Sequence, residues 1–319
     1  MNNRTFFAKA TVCFLLIFLP NMLSAQGPGI PKGWSDGFVY ANGIRIHYYR
    51  ATPAPGKPVI VMAHGVSDNG LCWTTLTQKL QADYDIYMVD ARGHGLTDPP
   101  TTADSSNAMV EDLVGFVQKM KFVNPILMGH SMGAATVMRL GASYPNFAKA
   151  IIMLDPGLRS RTAAPVTAPR PNPAPAQANP ASSGADKKLT VSMSGTPDVL
   201  VAQNNYSYED LVAIGRRQNP MWGDLDVQYW ALSKKQYHGN YGGGGRRGPM
   251  SADNPLEKIQ VPAIILKADA SPEVRKAHEE AASVMKKGRL VHIDGAAHNL
   301  HHDKLERTTQ VIKEFLSGL

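Results

Sequence analysis

The sequence holds two cysteines, Cys13 and Cys72, which is too few for a disulfide framework to organise a chain of this size. Charged side chains are also sparse, at 18% against 43% hydrophobic. That balance excludes chain-wide disorder and leaves ample apolar material for a core. The apolar run near the start, Val12–Leu19, is well short of the roughly 20 residues a membrane-spanning helix needs. The Gly-rich spacing of a nucleotide-binding loop and the motifs of nucleic-acid binders are both missing. A small molecule, rather than a nucleic acid or a membrane, is therefore the expected partner.

The short apolar run has another use. Arg4 and Lys9 precede it, and Leu23-Ser24-Ala25 supplies small residues before Gln26. This is the layout of a cleaved export signal over 1–25, which predicts a secreted or periplasmic protein with no stable membrane insertion afterwards. Loss of Arg4 and Lys9 from a chain of net charge +7 leaves +5. Cys72 would then be the sole cysteine of the mature chain.

Beyond the signal, apolar runs recur at Val59–Met62, Ile86–Val89, Pro125–Met128, Ala150–Leu154, Pro262–Leu266 and Arg289–Ile293. Continuous apolar runs of this length suit strands covered on both faces, as in a parallel sheet. Segments of helical pattern separate most of them, so the fold class is α/β with a mostly parallel, doubly wound sheet. Asn42-Gly43, between two strand-like segments, predicts a hairpin. The alternation breaks after Leu158. Residues 161–185 are rich in Pro and Ala and read as a tether, and 187–237 regain helical character with Trp222 and Trp230 among them. The layout is thus a core over 26–158 and 256–319, with a helical cap insertion over 159–255. Its aromatics suggest an apolar pocket touching substrate through Trp222 and Trp230, or else a small core of the cap itself.

Gly129-His-Ser131-Met-Gly133 follows one strand and opens a helix. A serine on that tight turn projects from the strand end as a nucleophile, with the Met132 N–H at a helix N-terminus facing developing negative charge. His64-Gly65-Val66-Ser67 follows the preceding strand but one, and its loop supplies a second oxyanion donor at Val66, or alternatively Ser67. His298, in a loop after the last strand, is the candidate general base. Its alternative, a metal site with His301 and His302, requires His298 inside a helix, where Gly295 does not place it. His301 and His302 are then solvent-facing or structural. The histidine needs a carboxylate partner. Asp269 is preferred and Asp155 is the alternative; both follow a strand and both precede His298. The turn Asp90-Ala-Arg92-Gly-His94-Gly-Leu-Thr97-Asp98 is expected to be held by an Asp–Arg network. No metal or organic cofactor is called for.

His64-Gly65, Asp90-x-Arg92-Gly-x-Gly95, Gly129-x-Ser131-x-Gly133 and Gly295-x-x-His298 together resemble the α/β-hydrolase superfamily over 33–158 and 256–319. The resemblance implies an α/β-hydrolase fold and a Ser–His–acid site. The longer stretches His64–Trp73 and Gly295–His301 are similar to a bacterial esterase subgroup that includes enzymes opening macrolide lactones, implying an ester or lactone substrate. Those relatives that hydrolyse epoxides or carbon–halogen bonds carry Asp, not Ser, at the elbow. Amide, peptide and carbon–carbon bond hydrolysis use the same triad, and a binding protein that has lost turnover is the alternative of another class.

Overall fold

The computed structural model describes residues 27–101, 103–158, 205–238 and 254–319. The expected signal over 1–25, the Pro/Ala-rich stretch 161–185 and Gly242–Gly248 lie outside the described residues. In chain order, the strands are β1 (Ser35–Ala41), β2 (Ile44–Arg50), β3 (Val59–Ala63), β4 (Asp85–Val89), β5 (Ile126–His130), β6 (Ala150–Leu154), β7 (Ala263–Lys267) and β8 (Gly288–His292). The helices are α1 (Thr74–Leu80), α2 (Ala108–Lys119), α3 (Met132–Ser143), α4 (Tyr208–Gln218), α5 (Asp224–Lys235), α6 (Pro255–Lys258), α7 (Pro272–Ala282), α8 (Leu300–Asp303) and α9 (Leu305–Leu316).

All eight strands form one sheet in the order β1-β2-β4-β3-β5-β6-β7-β8. β1–β2 and β2–β4 are antiparallel and every pair from β4 to β8 is parallel. Non-adjacent order with parallel pairing is what helical crossovers impose on a doubly wound sheet. The β1–β2 hairpin turns at Asn42 and Gly43, both with positive φ, as a two-residue primed turn requires.

Every residue of β4, β5, β6 and β7 is buried, which is why these strands are continuous apolar runs. Alternate side chains feed opposite faces. Val61, Leu127, Ile151 and Ile265 pack with α2 and α3, while Ile60, Met62, Ile126, Ile152 and Ile264 pack with α1 and α9. The expected Asp–Arg network after β4 has different partners from those in the motif. Arg92 pairs with Asp104 and Asp112, Asp98 pairs with Arg45, and Asp90 pairs with His47. The turn is braced from neighbouring elements and from within, where Asp90 Oδ2 accepts the Leu96 N–H at 3.0 Å.

α4 and α5 belong to the stretch between β6 and β7. They enclose a small core of Leu211, Ile214, Trp230 and Ala231. Polar links join α5 to the main body. Thr75 Oγ1 donates to Asp226 Oδ1 at 2.6 Å, and Asn69 Nδ2 donates to Gln236 Oε1 at 2.8 Å.

Candidate active site

Ser131 stands between β5 and α3 with φ 51°, a left-handed conformation that is strained for a non-glycine residue. Its flanking glycines are fixed by close approach. A side-chain carbon on Gly129 would lie 2.3 Å from Gly133 O, and one on Gly133 would lie 2.0 Å from Ala63 O. The Ser131 N–H is held by Leu154 O at 2.9 Å, so the strained turn is anchored to β6. Gly133 donates to His64 O at 3.1 Å, which brings the loop after β3 against the N-terminus of α3. Met132 is the first residue of that helix, and its N–H has no intrahelical acceptor. Val66 sits half-buried in the loop that His64 begins. His64 itself is structural: Nδ1 bonds to Gly65 O at 2.7 Å, and the Ala91 N–H donates to Nε2 at 3.0 Å.

His298 Nε2 lies 2.9 Å from Ser131 Oγ, and its Nδ1 lies 2.5 Å from Asp155 Oδ2. The loop that carries it is pinned in several places. His130 Nε2 donates to His298 O at 2.9 Å, the Ala297 N–H donates to Asp303 Oδ2 at 3.0 Å, and the Asp269 N–H donates to Ala296 O at 2.9 Å. His298 keeps 38% of its side chain exposed, so it is reachable from outside.

The carboxylate on His298 is Asp155, which corrects the preference for Asp269. Asp269 Oδ1 accepts from Arg275 at 2.5 Å, and its Oδ2 accepts from the Gly295 N–H at 2.7 Å. Both oxygens are thereby turned to bracing the base of the His298 loop. Asp155 instead follows β6 with φ 46°. Its Oδ1 meets Lys267 Nζ at 2.5 Å and accepts the Ala268 N–H at 3.2 Å. Burial opposes its ionisation, but the His298 hydrogen bond and Lys267 outweigh burial and hold Asp155 well below the usual carboxylate range. Lys267 is itself buried and also donates to Pro156 O at 2.9 Å.

His301 and His302 do not join His298. Both are buried, which removes the solvent-facing option. His301 lies against Trp73 with ring centroids 4.7 Å apart, and burial keeps its pKa well below normal. His302 lies against Trp222 at 4.5 Å and beside Asp226. The Trp222 Nε1–H donates to Asp303 Oδ1 at 2.7 Å, so this indole fastens the cap to the segment following His298. Trp230 is packed inside the cap core. The expectation that it contacts substrate gives way to packing, because α4 and α5 close on each other around its indole.

The sequence profile of the Alpha/beta hydrolase family matches residues 60–312. The chain is 31% identical over 98 residues to 2-(acetamidomethylene)succinate hydrolase of Mesorhizobium japonicum, a match spanning 31% of this chain and only 35% of that protein. Epoxide hydrolase 1 of Caenorhabditis elegans is 21% identical over 311 residues, covering 92% of this chain and 72% of that protein. A crystal structure of E-2-(acetamidomethylene)succinate hydrolase superposes with TM-score 0.65 at 18% identity, covering 89% of this chain and 99% of that one. These relatives differ in chemistry but share the fold: this chain belongs to the alpha/beta hydrolase family, and it is a hydrolase by that membership.

Proposed function

We propose that this protein is an exported serine hydrolase that cleaves an ester or lactone bond through an acyl-serine intermediate. The observation that carries the reading is the continuous hydrogen-bonded line Ser131 Oγ – His298 – Asp155 at 2.9 and 2.5 Å. A serine hydroxyl becomes nucleophilic only when a base takes its proton. In the proposed reaction Ser131 Oγ attacks the carbonyl carbon while its proton passes to His298 Nε2. Asp155 stays ionised and stabilises the imidazolium. The carbonyl oxygen, now negative, is received by the backbone N–H groups of Val66 and Met132. His298 returns the proton to the departing alcohol, and water repeats the sequence to release the acid.

Ser131 at the elbow supports acyl chemistry over epoxide opening, even though an epoxide hydrolase is among the relatives. Amide hydrolysis is the second reading, favoured by the acetamido group in the name of the Mesorhizobium relative. Esters and lactones lead because His64–Trp73 and Gly295–His301 resemble the esterase subgroup noted above, and a macrolide-type lactone is the narrowest form of the proposal. Export is supported by the charge and hydropathy pattern of residues 1–25. Assaying purified protein on aryl esters, small lactones, a macrolide and aryl amides tests the substrate class. Turnover of amides alone would replace the ester reading with the second one.

A further inference from the structure

Lys234, on the last turn of α5, is 2% exposed at its side chain. An ammonium has three N–H donors, and here all three are used on adjacent residues of one loop. Nζ donates to Ser67 O at 2.8 Å, Ser67 Oγ at 2.9 Å and Asp68 Oδ1 at 2.9 Å, with the Trp230 ring 5.0 Å away on the cap side. Ser67 has φ 61°. A left-handed serine persists only where its surroundings over-determine it, and such residues gather at working sites. Ser67 directly follows Val66, whose N–H is the second oxyanion donor in the reading above.

The clamp also reaches the nucleophile turn. A side-chain carbon on Gly65 would stand 2.8 Å from His130 Nδ1 and 3.0 Å from Asp68 Oδ2. Asp68 and the residue preceding Ser131 therefore close on the same point of the loop backbone. Replacing a buried lysine here would free Ser67 O and Oγ and leave Asp68 without its cation. Neither loss touches substrate. Both act on where the Val66 N–H points, and a donor misplaced by an ångström is a poor donor.

We propose that Lys234 is a positioning residue of the oxyanion hole, through which the cap sets the rate of the reaction as well as access to it. The inference rests on the Ser131 reading. Lys234→Met keeps an unbranched side chain of similar length and removes the ammonium, together with its approach to the Trp230 ring. With p-nitrophenyl acetate as the substrate, it lowers kcat about 10- to 100-fold with KM within about twofold. Affinity for benzeneboronic acid, which mimics the tetrahedral adduct, falls in step with kcat/KM. Thr75→Val breaks a different cap link, to Asp226, and leaves kcat near wild type even if the melting temperature drops. If Lys234→Met does not fold, Lys234→Met/Asp68→Asn removes both buried charges and still shows the fall in kcat. A folded single or double variant with wild-type kcat overturns the inference, as does an equal fall in kcat for Thr75→Val. Ser131→Ala separates the two readings. Wild-type turnover there sinks the serine mechanism itself, whereas its loss together with an intact Lys234→Met kcat sinks only the role of Lys234.

Discussion

Lys267 Nζ and Asp155 Oδ1 form a buried ion pair at 2.5 Å, while the other oxygen of the same carboxylate faces His298. One aspartate thus links a lysine at the end of β7 to the imidazole on the loop after β8. Asn at position 155 keeps the shape and removes the charge that stabilises the imidazolium. Asp155→Asn is expected to lower turnover by about 10³–10⁴-fold, the scale seen when a triad aspartate is so replaced. Asp269→Asn, with an oxygen still able to accept from Gly295, should cost less than about tenfold. Steady-state rates of the two folded variants check the ranking, and the reverse order would return the role to Asp269.

Removing the cation alone has a different consequence. Breaking a buried pair strands its partner, typically at about 3–5 kcal/mol. Lys267→Met should therefore destabilise the fold by about 3 kcal/mol in urea titration, with a loss of turnover because Asp155 loses one of its three partners. A loss below about 1 kcal/mol would mean that solvent or another group satisfies the carboxylate.

Trp230 makes a prediction that separates packing from substrate contact. Trp230→Ala empties a packed site, and large-to-small changes of this kind cost about 3–5 kcal/mol. It should reduce turnover of small and bulky esters in the same proportion, since the indole packs against Leu211 and Ile214. A selective loss on bulky esters would show that Trp230 reaches substrate after all.

Asp68 supplies a pH dependence. Burial raises its pKa, but the Lys234 charge and then His130 outweigh burial and bring it down to about 2. A carboxylate depressed in the folded state stabilises the protein above its unfolded pKa, and that contribution is lost as pH falls through the folded value. From the ordinary value of 3.8 this is worth about 2 kcal/mol. Wild type should lose this increment between about pH 4 and pH 2, and Asp68→Asn should not. Parallel acid-denaturation curves for the two proteins would contradict the assignment.

The strands, the Asn42-Gly43 turn and the Ser131 turn were legible because each has a local cause: burial on both faces, paired positive φ, or glycines where no side chain fits. His298 was legible from its place after the last strand. The acid was not. Asp155 and Asp269 share chain order and strand-end position, and they are told apart only by tertiary partners, Lys267 and His298 for one, Arg275 and the Gly295 N–H for the other. The burial of Lys234 and Lys267 is set by tertiary partners. The one available hint was a lysine closing the otherwise apolar strand Ala263–Lys267, where a buried charge demands a partner. The burial of His301 and His302 has no local sign in the sequence, because it depends on Trp73 and Trp222, far away in the chain.

In the proposed mechanism everything turns on Ser131 as the nucleophile of an acyl-transfer hydrolase. Mass spectrometry of wild type and Ser131→Ala after treatment with a fluorophosphonate, combined with turnover of an aryl ester, tests it most directly. A single adduct is expected on the peptide containing Ser131, absent from the variant, with a fall in turnover of roughly 10⁴–10⁶-fold and the fold intact. Undiminished ester turnover by pure Ser131→Ala, or an adduct on another residue that tracks the loss of activity, would contradict it.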